Sequence, residues 1–180
     1  MKNIIGLYSP AAQSGKSTVA KFLAQECGYE VVPFAQTLKE MLIPMLKALG
    51  YSDDEAYRLV RVDKQVVVPG AEVSVRHMLR TLGTEWGRQC IHPDIWLRCW
   101  QESIKPYDLV VVDDVRFPNE ADLIRNLGGE MWLVERPDAL RTHEHASEGG
   151  LDAYHDFATH VVNDGSLTDL LGKLRVLAQP

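Results

Sequence analysis

The string Ser14-Gly15-Lys16-Ser17-Thr18 stands between an apolar run, Asn3 to Tyr8, and an amphipathic stretch, Ser17 to Cys27. Strand, loop and helix in that order restrict the chain to α/β architectures in which backbone N–H groups and a helix N-terminus converge on one point. Such a point suits phosphate. Val19, Ala20, Phe22, Leu23 and Ala24 supply the apolar positions of the helix. Lys16 would reach the β- and γ-phosphates of a nucleotide, the Ser17 hydroxyl would ligate Mg²⁺, and Gly15 would let the backbone approach closely. Gln13, Ser14 and Thr18 complete the expected ATP cradle. The bland alternative is a serine-capped helix beside a solvated lysine, and the placement between strand and helix favours the phosphate site. One departure stands out. The usual G-x-x-x-x-G-K-[ST] pattern has its first glycine where this chain has Pro10, and Gln13 also occupies a place where glycine would allow positive φ. The first half of the loop is therefore expected to bend differently.

Other features narrow the class. A length of 180 residues suits one domain with a sizeable core, and 46% hydrophobic with 24% charged residues is ordinary globular composition. The net charge of -6 argues against a broad basic face that would hold duplex nucleic acid, and leaves nucleotide monomers as partners. No apolar run reaches the length of a membrane span and the N-terminus has no signal-peptide core, so a cytoplasmic location with no membrane partner is expected. Cys27, Cys90 and Cys99 form no C-x-x-C pair and are expected to be reduced, buried thiols.

Along the chain, strand and helix signals alternate. Strands are expected at Asn3 to Tyr8, Glu30 to Phe34, Asp108 to Val112, Glu130 to Glu135 and Thr159 to Val162. Helices are expected at Ser17 to Cys27, Gln36 to Leu49 with an interruption at Pro44, Asp53 to Val60, Ser74 to Gln89, Asp94 to Ser103, Asn119 to Leu127 and Ser166 to Leu177. Asp63 to Val73, with its Pro-Gly signal, reads as a loop or small hairpin. The sum is an α/β fold of three layers, α/β/α, around a five-stranded parallel sheet. One domain is expected, with a core over 1–34 and 105–180, a helical acceptor-binding insert over about 35–104 and a lid over about 137–158.

The run Leu109 to Val112 ends in Asp113 and Asp114, and an aspartate at the end of a buried strand beside the phosphate loop can hold the Mg²⁺ shell. Asp113 is assigned to the metal with Ser17. Arg116, just beyond, would enter the cleft at the C-terminal ends of the strands. Arginines are plentiful away from the loop, namely Arg76, Arg80, Arg88, Arg136 and Arg141. Arg76 and Arg80 lie four apart on one helix and would share a face. Phe34, Lys39, Trp86 and Trp96 could stack on a base or close on a sugar, with core packing the alternative for the two tryptophans. His143 and His145 form H-x-H without further ligands at zinc-binding spacing, so structural zinc is not expected.

In order and spacing, "GLYSPAAQSGKSTVA", "VVPFAQTLKEML", "RTLGTEWGR", "VVVDDVRFPNEADLI", "HASEGGLD" and "VVNDGSL" resemble the deoxynucleoside monophosphate kinases encoded by bacteriophages, over nearly the whole chain. The most specific pieces are LGTEWGR and DDVRFPNEA. The resemblance implies transfer of the γ-phosphoryl group of Mg·ATP to a deoxynucleoside 5′-monophosphate. It also implies that the segment holding Phe34 and Lys39 lies by the acceptor, and the charge and stacking chemistry of the chain adds Arg80, Trp86, Arg88, Asp114 and Arg116 as acceptor-binding candidates. Lys16, Arg116, Arg136 and Arg141 would neutralise the transferring phosphoryl group, the last two from a closing lid. Asn163 and Gly165, in the turn before the last helix, would place backbone contacts on the adenine. His145, Ser147 and Glu148 match the family's H-x-S-E.

The chemistry agrees with the resemblance. A phosphate-monoester oxygen is largely ionised at neutral pH, so the attack needs charge neutralisation and in-line positioning more than a base. The alternatives are another acceptor, such as dephospho-coenzyme A, a non-catalytic nucleotide-binding module, and a nuclease using Asp113, Asp114 and Glu120. A homodimer is compatible with the sequence.

Overall fold

A computed structural model describes residues 3–11, 13–138, 150–151 and 153–178. The chain divides into two compact units, Met1–Pro33 with Ser103–Pro180, and Phe34–Glu102.

The first unit is built on a five-stranded sheet. Its strands are β1 (Asn3–Tyr8), β2 (Glu30–Val31), β5 (Leu109–Val112), β6 (Glu130–Glu135) and β7 (Thr159–Val162), in the spatial order β2-β5-β1-β6-β7. Every neighbouring pair is parallel. The register sets Gly6 of β1 beside Val112 of β5, so both strands end toward the same edge. Because β5 is an interior strand, flanked by β2 and β1, Val110, Val111 and Val112 are wholly buried, each burial stabilising by about 1.5–3 kcal/mol before the entropy cost of ordering. β2 is shorter than its sequence suggests. It ends at Val31, although the Val32 N–H still donates to the Val111 carbonyl at 3.0 Å; Pro33, which follows, has no N–H to donate.

Side chains alternate between the faces of the sheet, and helices cover both. Ile5, Leu7, Val111, Val134 and Val161 pack with α1 (Lys16–Cys27) and α7 (Leu167–Leu177). On the other face α6 (Pro118–Asn126) brings Ile124 against Gly6 and Met131. This is the three-layer α/β/α architecture with five parallel strands that the alternating pattern predicts.

The second unit is helical: α2 (Gln36–Ala48), α3 (Asp53–Arg61), α4 (Val75–Thr81), a π-helix (Leu82–Ile91) and α5 (Ile95–Ser103). α2 continues through Pro44 without a break. The Asp63 to Val73 region contains the hairpin, with β3 (Val67–Val68) antiparallel to β4 (Val73–Ser74). A capping box of Ser52 and Glu55 starts α3. The single helix expected over Ser74 to Gln89 is corrected to a short α-helix that widens into the π-helix. Trp96 explains part of this. Its indole N–H donates to the Gly83 carbonyl at 2.8 Å, and a Cβ on Gly87 would come within 2.4 Å of its ring. Sequence periodicity carries no signal for such a contact. The cysteines are free, but only Cys27 and Cys99 are partly buried; Cys90, expected to be buried, is exposed on the π-helix.

No helix among the described residues is long and apolar enough to cross a membrane.

Candidate active site

The loop between β1 and α1 lies at the C-terminal edge of the sheet, where the chain departs to opposite sides of β1, the position at which open α/β sheets bind ligands. Ser9 starts its turn, its hydroxyl accepting from the Ala11 N–H at 3.2 Å across Pro10. Gln13 then takes φ 56°, so the left-handed conformation expected of glycine is adopted here by a glutamine. A non-glycine residue in this region carries about 1–2 kcal/mol of steric cost. Gly15 follows at φ 106° as the N-cap of α1, with no side chain capping the helix. The Thr18 and Val19 amides turn back onto the Gly15 carbonyl at 2.9 and 3.0 Å, which leaves the Lys16 and Ser17 amides to whatever fills the loop.

The loop from Gln13 to Thr18 lines a concavity of about 380 Å³ with Arg136, Asn163, Leu167 and Leu170. Arg136 arrives just past β6, and Asn163 just past β7. The two leucines belong to α7 and extend the set expected from sequence. They follow the Asn163-Asp164-Gly165 turn at helical spacing, which is the signal that could have found them. Gly165 lies in that turn, with a Cβ there meeting the Asp169 carboxylate.

Lys16 is partly buried, and burial lowers its pKa from the ordinary lysine value. The Arg116 guanidinium lowers it further, while the Asp113 and Asp114 carboxylates act in the opposite direction. Four groups from two distant stretches therefore share one electrostatic neighbourhood. Asp113 and Asp114 are half-buried beyond β5, and Arg116 is exposed. The loop holding Arg116 is fixed by Glu120, which is 3% exposed and accepts from the backbone N–H groups of Arg116 at 2.8 Å and Phe117 at 3.1 Å.

The hard-oxygen set around the loop suits magnesium. Ser17 is exposed on the first turn of α1, and Asp113 directly follows the adjacent strand β5. Among the described residues no three His, Cys, Asp or Glu side chains converge as a metal cage. Two protein oxygens completed by phosphate and water is the pattern Mg²⁺ accepts.

In the helical unit, Phe34 is buried with its ring 4.6 Å from that of Trp100. Lys39 is half-buried on α2 and Arg88 half-buried on the π-helix. Arg80 is exposed, its guanidinium 3.2 Å from His77 Nδ1, and Arg76 is exposed on the same helix. Trp86 is 43% exposed, whereas Trp96 is core, its ring 6.3 Å from that of Trp86. Arg141, His143, His145, Ser147 and Glu148, with most of the expected lid, lie outside the described residues. Of the remaining histidines, His155 is exposed and His160 lies 3.0 Å from Glu135.

A phosphate loop at the end of the central parallel strand, an aspartate strand beside it and helices on both faces define the P-loop α/β class. The solved structure of dephospho-CoA kinase from Campylobacter jejuni has this fold, with a TM-score of 0.51 and 13% identity over 98% of this chain and 95% of that one. The family model for deoxynucleotide monophosphate kinase matches residues 51–174, and the chain belongs to that family. A protein of Acanthamoeba polyphaga mimivirus that carries the name deoxynucleotide monophosphate kinase is 28% identical over 177 residues, 89% of each chain. The deoxynucleoside-5′-monophosphate kinase of Escherichia phage T5 is 35% identical over 113 residues, covering 57% of this chain and 44% of that protein.

Proposed function

We propose that the chain transfers the γ-phosphoryl group of ATP to a deoxynucleoside 5′-monophosphate, releasing ADP and the diphosphate. The observation that supports this most directly is the gathering of Lys16, Arg116, Asp113 and Asp114 at a glycine-capped helix N-terminus. Family membership and the named relatives supply the acceptor class.

In this reading the Gly15 to Ser17 amides and the Lys16 ammonium hold the ATP phosphates, with Thr18 behind them and Gln13 and Ser14 shaping the loop. Mg²⁺, held by Ser17, Asp113 and the phosphate oxygens, would neutralise charge on the triphosphate. Arg136 borders the concavity; in this reading it would offset charge on the transferring group, together with Arg116 and Arg141. The acceptor's own phosphate oxygen is the nucleophile, so no side chain is required as a strong base. Phe34, Lys39, Arg80, Trp86 and Arg88 are assigned to the acceptor, with Asp114 and Arg116. Asn163 and Gly165 are assigned to the ATP end, and a cytoplasmic site of action follows from the substrates.

A coupled ADP-release assay with a panel of deoxynucleoside monophosphates, and dephospho-coenzyme A as comparison, tests the assignment. Turnover is expected with at least one deoxynucleoside monophosphate, and absence of turnover with all of them overturns it. Lys16→Ala should lower kcat/KM by about 10²–10³, as removal of one preorganised charge donor does. A transfer rate unaffected by that substitution would also count against the reading.

A further inference from the structure

Ser14 is the pivot of the phosphate loop. It lies between Gln13 at φ 56° and Gly15 at φ 106°, so neither a strand ladder nor a helix fixes the orientation of its peptide group. Its side chain is 1% exposed. One contact comes from the far end of the chain: the Asn163 side-chain amide donates to the Ser14 carbonyl at 2.9 Å in a buried position. Gly15 makes room for it, since a Cβ there would lie 2.8 Å from Asn163 Nδ2.

Asn163 is itself held on its own side. Its backbone N–H donates to the Glu135 carbonyl at 2.7 Å, continuing the β6–β7 pairing by one residue. The Lys173 amine donates to the Val162 carbonyl at 2.9 Å and pairs with Asp164 at 2.5 Å, tying the residues on either side of Asn163 to α7. The amide is therefore presented to the loop by a braced turn rather than by a freely rotating side chain, and it is 9% exposed.

We propose that Asn163 is a positioning residue of the phosphate loop: its side-chain amide holds the Ser14 carbonyl and presets the loop for a triphosphate, instead of reading the adenine base. The inference rests on the functional reading above and deepens it. It also explains how a loop with Pro10 and Gln13 in place of glycines keeps a phosphate-binding shape. A hydrogen bond from 149 residues away supplies the constraint that local sequence lacks.

The test measures binding of ATP and of inorganic tripolyphosphate by calorimetry, in the wild-type chain and in Asn163→Ala and Asn163→Asp. Asn163→Asp retains the shape and backbone contacts while replacing the donor by an acceptor that faces a carbonyl. In each variant the affinities for ATP and for tripolyphosphate should fall by the same factor, about tenfold in Asn163→Ala, the equivalent of one well-made buried hydrogen bond, and further in Asn163→Asp, whose carboxylate also repels the phosphates. Affinity for the acceptor monophosphate should not change. A purely stabilising role would lower the melting temperature but leave tripolyphosphate affinity intact well below it, and that result overturns the proposal. So does loss of ATP affinity with tripolyphosphate binding unchanged, which would make Asn163 a base contact. Failure of the wild-type chain to bind either ligand would instead remove the functional reading itself.

Discussion

The carboxylate of Glu120 accepts the backbone N–H of Arg116 at 2.8 Å, and through that bond a buried acid at the start of α6 shapes the loop that carries an exposed guanidinium toward the phosphate loop. The same oxygen takes the Phe117 N–H at 3.1 Å. Glu120→Ala removes the acceptor from both part-buried amides, so the unfolding free energy should fall by about 1–3 kcal/mol. Urea unfolding followed by circular dichroism measures this. A change under 0.5 kcal/mol, on the order of a neutral surface substitution, would show that the loop is held by other contacts.

Lys16 gives a pH prediction. Its folded pKa lies below the unfolded value, chiefly through burial and then through Arg116. Between the two values the unfolded chain binds more protons, so this group makes stability rise with pH up to the ordinary lysine range, and its penalty is fully present below the folded pKa. Lys16→Met should therefore stabilise the chain at neutral pH, with the gain shrinking as pH rises. In the enzyme, kcat/KM for ATP should decline on the alkaline side as Lys16 loses its proton. Arg116→Ala removes a charge that lowers that pKa and should move the alkaline limb upward, while Asp113→Asn should move it downward. The position of the limb, not the height of the profile, is the readout.

Gln13 tests the strained turn. At φ 56° glycine meets no Cβ penalty, whereas a β-branched side chain meets more than glutamine does. Gln13→Gly should leave stability within about 1 kcal/mol of the wild type, the relief of strain being offset by unfolded-state entropy. Gln13→Val should cost roughly 1–2 kcal/mol. Thermal melts of the two variants side by side decide it: equal melting temperatures would deny the left-handed conformation.

Gly87 tests the core of the helical unit. A methyl group there would meet three atoms of the Trp96 ring at 2.4–2.6 Å. Gly87→Ala should displace the indole, weaken its bond to the Gly83 carbonyl and destabilise by about 1–3 kcal/mol. Near-ultraviolet circular dichroism and tryptophan fluorescence should change together with the melting temperature, and unaltered spectra would mean that the ring does not rest on Gly87.

Local sequence sufficed for much of this molecule. The apolar runs at Ile4 to Tyr8 and Leu109 to Val112 match buried strands because a parallel strand covered on both faces needs continuous apolar side chains. Gly15-Lys16-Ser17 marked the loop because the backbone geometry of a phosphate cradle is encoded within a few residues. What sequence did not carry was every feature set by a distant partner. Trp96 against Gly87 accompanies the π-helix, Glu120 grips the Arg116 backbone, and Leu167 and Leu170 line the concavity at the phosphate loop. The bend through Gln13 belongs with these. A glutamine has no local preference for a left-handed conformation, so its place in the loop depends on the surrounding packing and on the Asn163 amide that reaches Ser14 across the sheet edge, a contact that exists only once β6 and β7 have brought the two ends of the chain together.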